Sequence, residues 1–269
     1  MHFNQTGKFL KRIPYAGFGR GENPILVING GQGFMMTPSS ARMIKDIRRL
    51  ARIMPNGRSF VLIGYDPDAA HVTVDGLADD VTTIIEQHFG GTADVMGISY
   101  GGVIAARAAA CSPENVSRLV LLVSAPWFSD EGKQRIQKQI DLITAGEMSL
   151  LLREFTAMFR SRWLNTLMDL RVRLSADGML RRLGKPDVIL HHLRAMLECE
   201  APGACQVRKE TPTLMIGGSR DQFFAAAMME ASARFPHIEA SIFPGETHMV
   251  PIERTREVRQ VTAAFLQES

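Results

Sequence analysis

Cysteine, tryptophan and charge of a single sign are all scarce in this sequence. The 269 residues include three cysteines and two tryptophans, and the formal net charge is only +3. Three cysteines without secretory context argue against a disulfide framework, although one pairing, Cys199 with Cys205, stays open. The small, dispersed positive charge argues against nucleic-acid binding. With 45% hydrophobic and 22% charged residues, the composition is that of an ordinary globular domain.

Long hydrophobic runs and clusters of metal ligands are also missing. No segment approaches the roughly 20 apolar residues of a membrane span, and the first eight residues contain no apolar run typical of a secretory signal. We therefore expect a cytoplasmic protein with no membrane span. The sequence has no Cys-x-x-Cys and no His-Glu-x-x-His motif, so we expect no metal site. The serine chemistry considered below would require no organic cofactor either.

A serine flanked by glycines stands at the centre of the most informative stretch. An apolar run over 95–98 predicts a buried strand, residues 103–110 predict a buried helix, and Ser99 lies between them. Gly97 and Gly101 have the spacing of a tight strand-to-helix turn, in which a side chain at either glycine would collide with the neighbouring backbone. At a helix N-terminus, free N–H groups favour developing negative charge. The context favours a nucleophile over an idle serine in a glycine-rich turn.

Strand and helix patterns alternate on both sides of this turn. Continuous apolar runs predict strands buried on both faces, and amphipathic segments between them predict helices, which together favour a doubly wound, mostly parallel α/β sheet. The predicted strands cover 24–28, 59–66, 95–98, 117–124, 211–218 and 239–243. The predicted helices cover 39–54, 75–89, 103–110, 223–235 and the C-terminal segment.

The alternation stops between the strands at 117–124 and 211–218. Helical patterns over 131–145, 147–160, 163–174 and 186–197 replace it, and a stretch this long is not a plain loop. We predict a core formed by residues 1–126 and 210–269, with a helical lid inserted at 127–209. We expect most apolar stripes of the lid to be packing between helices: Met148, Phe155, Met158, Phe159, Trp163 and Met168.

Two residues after the last strands complete a candidate site. The carboxyl ends of parallel strands meet at one edge of an open sheet. His248 follows the last strand, and histidine is the side-chain type best suited to take a proton near neutral pH, so it is the candidate base for Ser99. Asp221 follows the preceding strand and could orient that histidine. We interpret the five other internal histidines as surface or lid residues: His71, His88, His237, His191 and His192. Either His191 or His192 would face substrate if the lid helix turns that way.

The chain order Ser99, Asp221, His248 resembles that of the α/β-hydrolase fold superfamily, with an inserted lid. The resemblance covers nearly the whole chain. It implies a Ser-His-Asp triad, with Asp130 as an alternative acid. It also implies an oxyanion hole of backbone N–H groups, one from Tyr100 and a second from Gly31 or Gln32. Asn29 stands where many relatives carry a histidine.

The resemblance implies a serine hydrolase that forms an acyl-enzyme. The apolar lid favours a small or medium hydrophobic ester as the small-molecule substrate. Other chemistries on the same residues stay open: carbon–carbon bond, lactone or thioester hydrolysis, proline iminopeptidase action and acyl transfer. A non-enzymatic receptor on the same fold is an alternative from another class, since neither fold nor triad fixes function.

Overall fold

A computed structural model describes residues 5–199 and 207–267. Its sheet contains eight strands in the order β1-β2-β4-β3-β5-β6-β7-β8. The pairs β1 with β2 and β2 with β4 are antiparallel, and the other pairs are parallel. This confirms the predicted mostly parallel sheet. The strands are β1 (Thr6–Phe9), β2 (Ile13–Phe18), β3 (Ile25–Ile28), β4 (Phe60–Ile63), β5 (Ala93–Ile98), β6 (Val116–Leu122), β7 (Thr213–Gly218) and β8 (Ile238–Phe243).

The central strands are buried on both faces because helices cover both sides of the sheet. In β3, Leu26 and Ile28 pack into one apolar cluster while Ile25 and Val27 pack into the other. The helices are α1 (Gln32–Met35), α2 (Ser40–Leu50), α3 (Val74–His88), α4 (Tyr100–Cys111), α5 (Asp130–Thr144), α6 (Met148–Glu154), α7 (Arg162–Leu180), α8 (Pro186–Glu198), α9 (Ala225–Arg234), α10 (Val250–Glu253) and α11 (Thr255–Gln267). Helices α3 and α4 contribute to the first cluster, and α2 and α11 contribute to the second.

Four helices, α5 to α8, lie between β6 and β7 in the segment 127–209, which we call the insert. No strand occurs among its described residues. The predicted helix over 147–160 is wrong in its second half, because α6 ends at Glu154 and a 3-10 turn follows at Phe155–Met158. Helix α7 runs past the predicted end to Leu180, with a break at Ser175. There the Ser175 hydroxyl donates to the carbonyl of Arg171, which competes with regular helix geometry.

Among the six residues expected to pack inside the insert, Trp163 is the clear exception. Met158 is buried, and Met148 and Phe155 pack against the core, whereas 69% of Trp163 is exposed. The pairing of Cys199 with Cys205 lies outside the described residues.

Candidate active site

Ser99 occupies a strained turn between β5 and α4. Its backbone angles, φ +53° and ψ −122°, fall in a region that residues with a side chain rarely adopt. Two contacts hold the turn in place. The Ser99 N–H donates to the carbonyl of Leu122 at 2.9 Å, and the hydroxyl of Ser124 donates to the carbonyl of Ser99 at 2.7 Å. The backbone of Ser99 is thereby fixed at the junction of strand and helix, and the residue is partly exposed.

The glycines around Ser99 make this turn sterically allowed. A Cβ atom on Gly97 would overlap the backbone of Gly101 and Gly102, and a Cβ atom on Gly101 would overlap the carbonyl oxygen of Ile28. The structure therefore confirms the predicted collisions. Because α4 starts directly after the turn, its first N–H groups have no partner within the helix.

Asp221 and His248 are brought together at the ends of β7 and β8. The His248 Nδ1 atom lies 2.8 Å from Oδ2 of Asp221. The other carboxylate oxygen accepts the backbone N–H groups of Phe223 and Phe224 at 2.8 and 3.1 Å. Since an ionised carboxylate only accepts hydrogen bonds, Nδ1 carries the proton and Nε2 is left as the basic nitrogen. Asp221 is buried, so this contact fixes the orientation of the imidazole.

Ser99 lies at the same edge of the sheet, after β5. Among the described residues, the Ser99 hydroxyl makes no hydrogen bond to the ring of His248. Aromatic contacts connect the two neighbourhoods. The ring of Phe224 stacks with His248 at 6.0 Å and packs against Phe128 at 4.7 Å, and Phe128 lies 6.4 Å from Tyr100, the residue after Ser99.

The alternative acid, Asp130, lies elsewhere. It is exposed and begins α5. It makes no hydrogen bond or ion pair with His248 in the part of the chain that the structure describes. Of the two candidate carboxylates, only Asp221 contacts the histidine.

The loop after β3 presents backbone N–H groups next to Ser99. A Cβ atom on Gly30 would lie 3.3 Å from the Cβ atom of Ser99, so the two segments are in contact. The Gly30 N–H is already used, since it donates to Oδ1 of Asn29 at 2.9 Å. The N–H groups of Gly31 and Gln32 donate to no acceptor among the described residues. Both therefore remain available, with the N–H of Tyr100, as donors to a developing oxyanion.

The same loop contains a helix that the sequence pattern did not predict. Residues 29–34 read as a glycine-rich loop, but α1 begins at Gln32. The N–H of Gly33 donates to the carbonyl of Gly30 at 2.8 Å, and the N–H of Met35 donates to that of Gly31 at 3.0 Å. One helical turn is too short to give an amphipathic pattern, so periodicity could not have found it.

Comparisons with known proteins identify the family of the chain. The model of the Alpha/beta hydrolase family matches residues 12–261. The chain belongs to that family. A putative 2-succinyl-6-hydroxy-2,4-cyclohexadiene-1-carboxylate synthase of Bacillus subtilis (strain 168) is 28% identical over 180 residues, which is 64% of this chain and 65% of that protein.

Two solved structures illustrate how similar the fold is. MGS-M2, an alpha/beta hydrolase enzyme from a Medee basin deep-sea metagenome library, has a TM-score of 0.74 at 17% identity, with 98% of each chain covered. A structure from work on carboxylesterases of Nitrososphaera gargenis has a TM-score of 0.71 at 18% identity, with 97% of each chain covered. At these identities the likeness shows the fold alone.

In this α/β hydrolase, the insert covers the loop that follows β3. The Gly184 N–H, between α7 and α8, donates to the carbonyl of Met35 at 2.9 Å, and the Thr37 N–H donates to that of Arg182 at 2.9 Å. Just beyond, the ring of His192 in α8 stacks on Phe34 at 4.4 Å. The insert therefore rests on the segment that continues from the candidate oxyanion donors.

His192 lies in the insert, one of the two places expected for it, and is fully buried. Neither of its ring nitrogens, nor the hydroxyl of Tyr100, has a hydrogen-bond partner among the described residues. Burial lowers the pKa of His192 to about 3 and raises that of Tyr100. Sequence reasoning missed this arrangement because it depends on how α8 packs on the core.

His192 should make stability depend on pH. The unfolded chain protonates this histidine near its usual pKa of about 6.5, whereas the folded chain keeps it neutral until far lower pH. The unfolded state therefore binds the extra proton, and stability falls as pH falls through that range. Between about pH 7 and pH 4.5 this histidine should cost about 2 to 3 kcal/mol of unfolding free energy.

Urea unfolding of the parent and of His192→Phe at both pH values measures this contribution. The phenyl ring keeps the stack on Phe34 and carries no titratable nitrogen, so the variant should lose less stability on acidification by that amount. Other titrating groups are common to both proteins and cancel in the difference. Equal losses in the two proteins would contradict the assignment.

A buried carboxylate connects the insert to the turn that carries His248. Glu246 is only 1% exposed, and its Oε1 atom lies 2.9 Å from Nη1 of Arg160 in the insert. Arg254, after α10, contacts the same oxygen at 2.8 Å. This contact raises the pKa of Arg254. Since Glu246 lies two residues before His248, the insert is ion-paired to the histidine turn itself.

The start of the insert is joined to the turn that carries Asp221. The Ser129 hydroxyl donates to the carbonyl of Phe223 at 2.8 Å and accepts the N–H of Gly132 at 3.1 Å. A Cβ atom on Gly132 would overlap the same Phe223 carbonyl. Because the N–H of Phe223 donates to Asp221, the first turn of α5 is connected to Asp221 through the backbone of Phe223.

Among the described residues, no group of three or more histidine, cysteine or acidic side chains could hold a metal ion. Within those same ranges, no helix has the length and apolar content to cross a membrane.

Proposed function

We propose that this α/β hydrolase is a serine hydrolase of carboxylic esters. The observation that carries the proposal is the Asp221–His248 contact of 2.8 Å, at the same sheet edge as Ser99 in its strained turn. A serine hydroxyl is a weak nucleophile until a base takes its proton. A histidine oriented by a buried carboxylate, with Nε2 left basic, is suited to that task.

The reaction would use groups of this chain at each step. Ser99 attacks the ester carbonyl while His248 takes its proton, and the adjacent Asp221 carboxylate stabilises the imidazolium. The N–H of Tyr100, with that of Gly31 or Gln32, binds the oxyanion of the tetrahedral intermediate. His248 then protonates the leaving alcohol. A water activated by the same histidine hydrolyses the acyl-enzyme and regenerates the serine.

The surroundings of these residues favour a hydrophobic substrate. Phe34 lies beside the candidate oxyanion loop, and Phe128, Phe223 and Phe224 surround His248 and Tyr100. The fold neighbour from Nitrososphaera gargenis comes from work on carboxylesterases, which is compatible with this substrate class. These aromatic side chains make the neighbourhood of the site apolar, and acyl or alkyl chains bind such surroundings through apolar contact.

Intact-protein mass after treatment with a fluorophosphonate tests the nucleophile. The parent should gain one adduct, because an activated serine attacks the phosphorus, and Ser99→Ala should gain none. Ser112→Ala is a matched control, since Ser112 ends α4 without a side-chain capping bond and lies far along the helix from Ser99. An adduct of equal yield on Ser99→Ala would place the reactive group elsewhere.

Release of p-nitrophenol from acetate to octanoate esters tests the reaction class. We expect turnover that depends on acyl chain length and disappears in Ser99→Ala. An adduct without any ester turnover would favour the second candidate, a synthase reaction on a cyclic carboxylate, which the match to the Bacillus subtilis protein suggests. Neither adduct nor turnover, together with a large ligand-induced rise in Tm, would instead favour a receptor.

A further inference from the structure

Helix α7 carries a stripe of exposed apolar side chains. The exposed fractions are 69% for Trp163, 46% for Leu167, 52% for Leu170 and 81% for Leu174. Their spacing of four, three and four residues places them within about 60° of one another around the helix. We call these four residues the outer face of α7. It extends for about 16 Å along the helix axis.

The opposite side of α7 attaches the helix to the rest of the insert. Val172, half a turn away from the outer face, is 3% exposed. Asn165 exchanges two hydrogen bonds of 3.0 Å with the backbone of Phe159, and Asp169 pairs with Arg153 of α6 at 2.6 Å. These contacts lie on the inner side and on one flank of α7, so the outer face points toward solvent.

Arginines flank the outer face. Helix α7 and the turn after it contain five arginines and two aspartates, namely Arg162, Arg171, Arg173, Arg181, Arg182, Asp169 and Asp177. Asp169 is already neutralised by Arg153 and Arg173, whereas Arg162 and Arg171 form no ion pair with another described residue. The insert as a whole has fourteen basic and ten acidic residues. The apolar stripe is therefore bordered by a positively charged surface.

We propose that the outer face of α7 binds the surface of an anionic lipid bilayer. An apolar stripe bordered by arginine, with a tryptophan at one end, is the pattern of a helix that lies in the plane of a membrane interface. The stripe would enter the headgroup region, and Arg162 and Arg171 would pair with lipid phosphates. This concerns where the protein is located, and it does not depend on the reaction that the protein catalyses.

A second copy of the chain is a poorer occupant. Pairing two outer faces would bring two arginine-rich flanks together, and like charges in contact oppose association. The four side chains offer roughly 400 to 500 Å² of exposed area, which is below the roughly 800 Å² per partner of a stable interface. Anionic phosphates satisfy the arginines that a second copy would repel.

Co-sedimentation with vesicles tests the proposal. Vesicles of phosphatidylcholine alone should retain little protein, whereas vesicles of phosphatidylcholine and phosphatidylglycerol in equal amounts should retain most of it, with less retention as salt is added. The triple variant Leu167→Gln, Leu170→Gln, Leu174→Gln should bind the mixed vesicles at least about tenfold more weakly. The control Met229→Gln, Ile252→Gln should bind as the parent does, because those exposed apolar residues lie outside α7.

Tryptophan fluorescence provides a second, local measurement. Trp163 is exposed and Trp127 is 2% exposed, so a blue shift on adding mixed vesicles reports chiefly on Trp163, and Trp127→Phe isolates that signal. Three results would overturn the proposal. The first is equal binding of the triple and control variants to mixed vesicles, and the second is no binding by the parent. The third is a concentration-dependent dimer of the parent, detected by light scattering, that the triple variant does not form.

Discussion

Replacing Asp221 with asparagine is expected to lower kcat for p-nitrophenyl ester hydrolysis by about 10⁴-fold while the protein stays folded. The asparagine oxygen can still accept the two N–H groups of Phe223 and Phe224. Its amide nitrogen would then face Nδ1 of His248 and donate to it. That reverses the tautomer, so the proton moves to Nε2 and no basic nitrogen is available to take the proton of Ser99.

The measurement compares kcat for the parent, for Asp221→Asn and for Asp130→Asn, with Tm recorded for each. Asp130→Asn is the matched control, since it makes the same chemical change at the exposed alternative carboxylate and should leave kcat within about twofold of the parent. A loss of less than tenfold in Asp221→Asn, with Tm unchanged, would refute the assigned role. So would an equal loss in Asp130→Asn.

Gly101→Ala is expected to destabilise the fold by about 4 kcal/mol or more. In an ordinary helix the same change stabilises by about 1 kcal/mol, because alanine has the higher helix propensity. At Gly101 the new methyl group would overlap the carbonyl oxygen of Ile28 and lie 2.6 Å from that of Asn29. Both are backbone atoms of β3 and its loop, so relief requires moving α4 away from the sheet.

The control for this substitution is Gly178→Ala. Gly178 lies in α7, where an added Cβ atom would meet nothing within 4 Å, so this change should stabilise by about 0.5 to 1 kcal/mol. Urea unfolding of both variants compares one chemical change in two surroundings. Losses of equal size, or a gain at Gly101, would show that the close approach of α4 to β3 is wrong.

Much of the core could be predicted from local pattern. A strand covered on both faces needs a continuous apolar run, and β3, β5, β6 and β7 appear in the sequence within about two residues of their observed bounds. The strand predicted over 59–66 is too long, since β4 ends at Ile63, and the Tyr65 hydroxyl instead donates to the carbonyl of Asn29. The alternation of elements also indicated the parallel sheet.

The contacts between the insert and the core could not be predicted in this way. His192 on Phe34, Arg160 on Glu246 and Ser129 on Phe223 each join residues far apart in sequence, and no local periodicity encodes such pairs. The sequence did not predict that Trp163 is exposed, because an apolar stripe has the same sequence pattern whether it faces a neighbouring helix or solvent. The sequence favoured Asp221 as the carboxylate, with Asp130 as the alternative, but the contact between Asp221 and His248 is known only from the geometry.

The bond between Ser129 and Phe223 also decides where the chain can be recombined with a relative. A chimaera that exchanges the insert at residue 127 would discard Ser129, whose hydroxyl donates to the carbonyl of Phe223. The N–H of the same Phe223 donates to Asp221. A junction placed after Gly132 would keep the first turn of α5 together with the Phe223 and Asp221 of the same protein. The unit that can be transplanted is thus shorter than the helical segment, because the first turn of α5 belongs with the core.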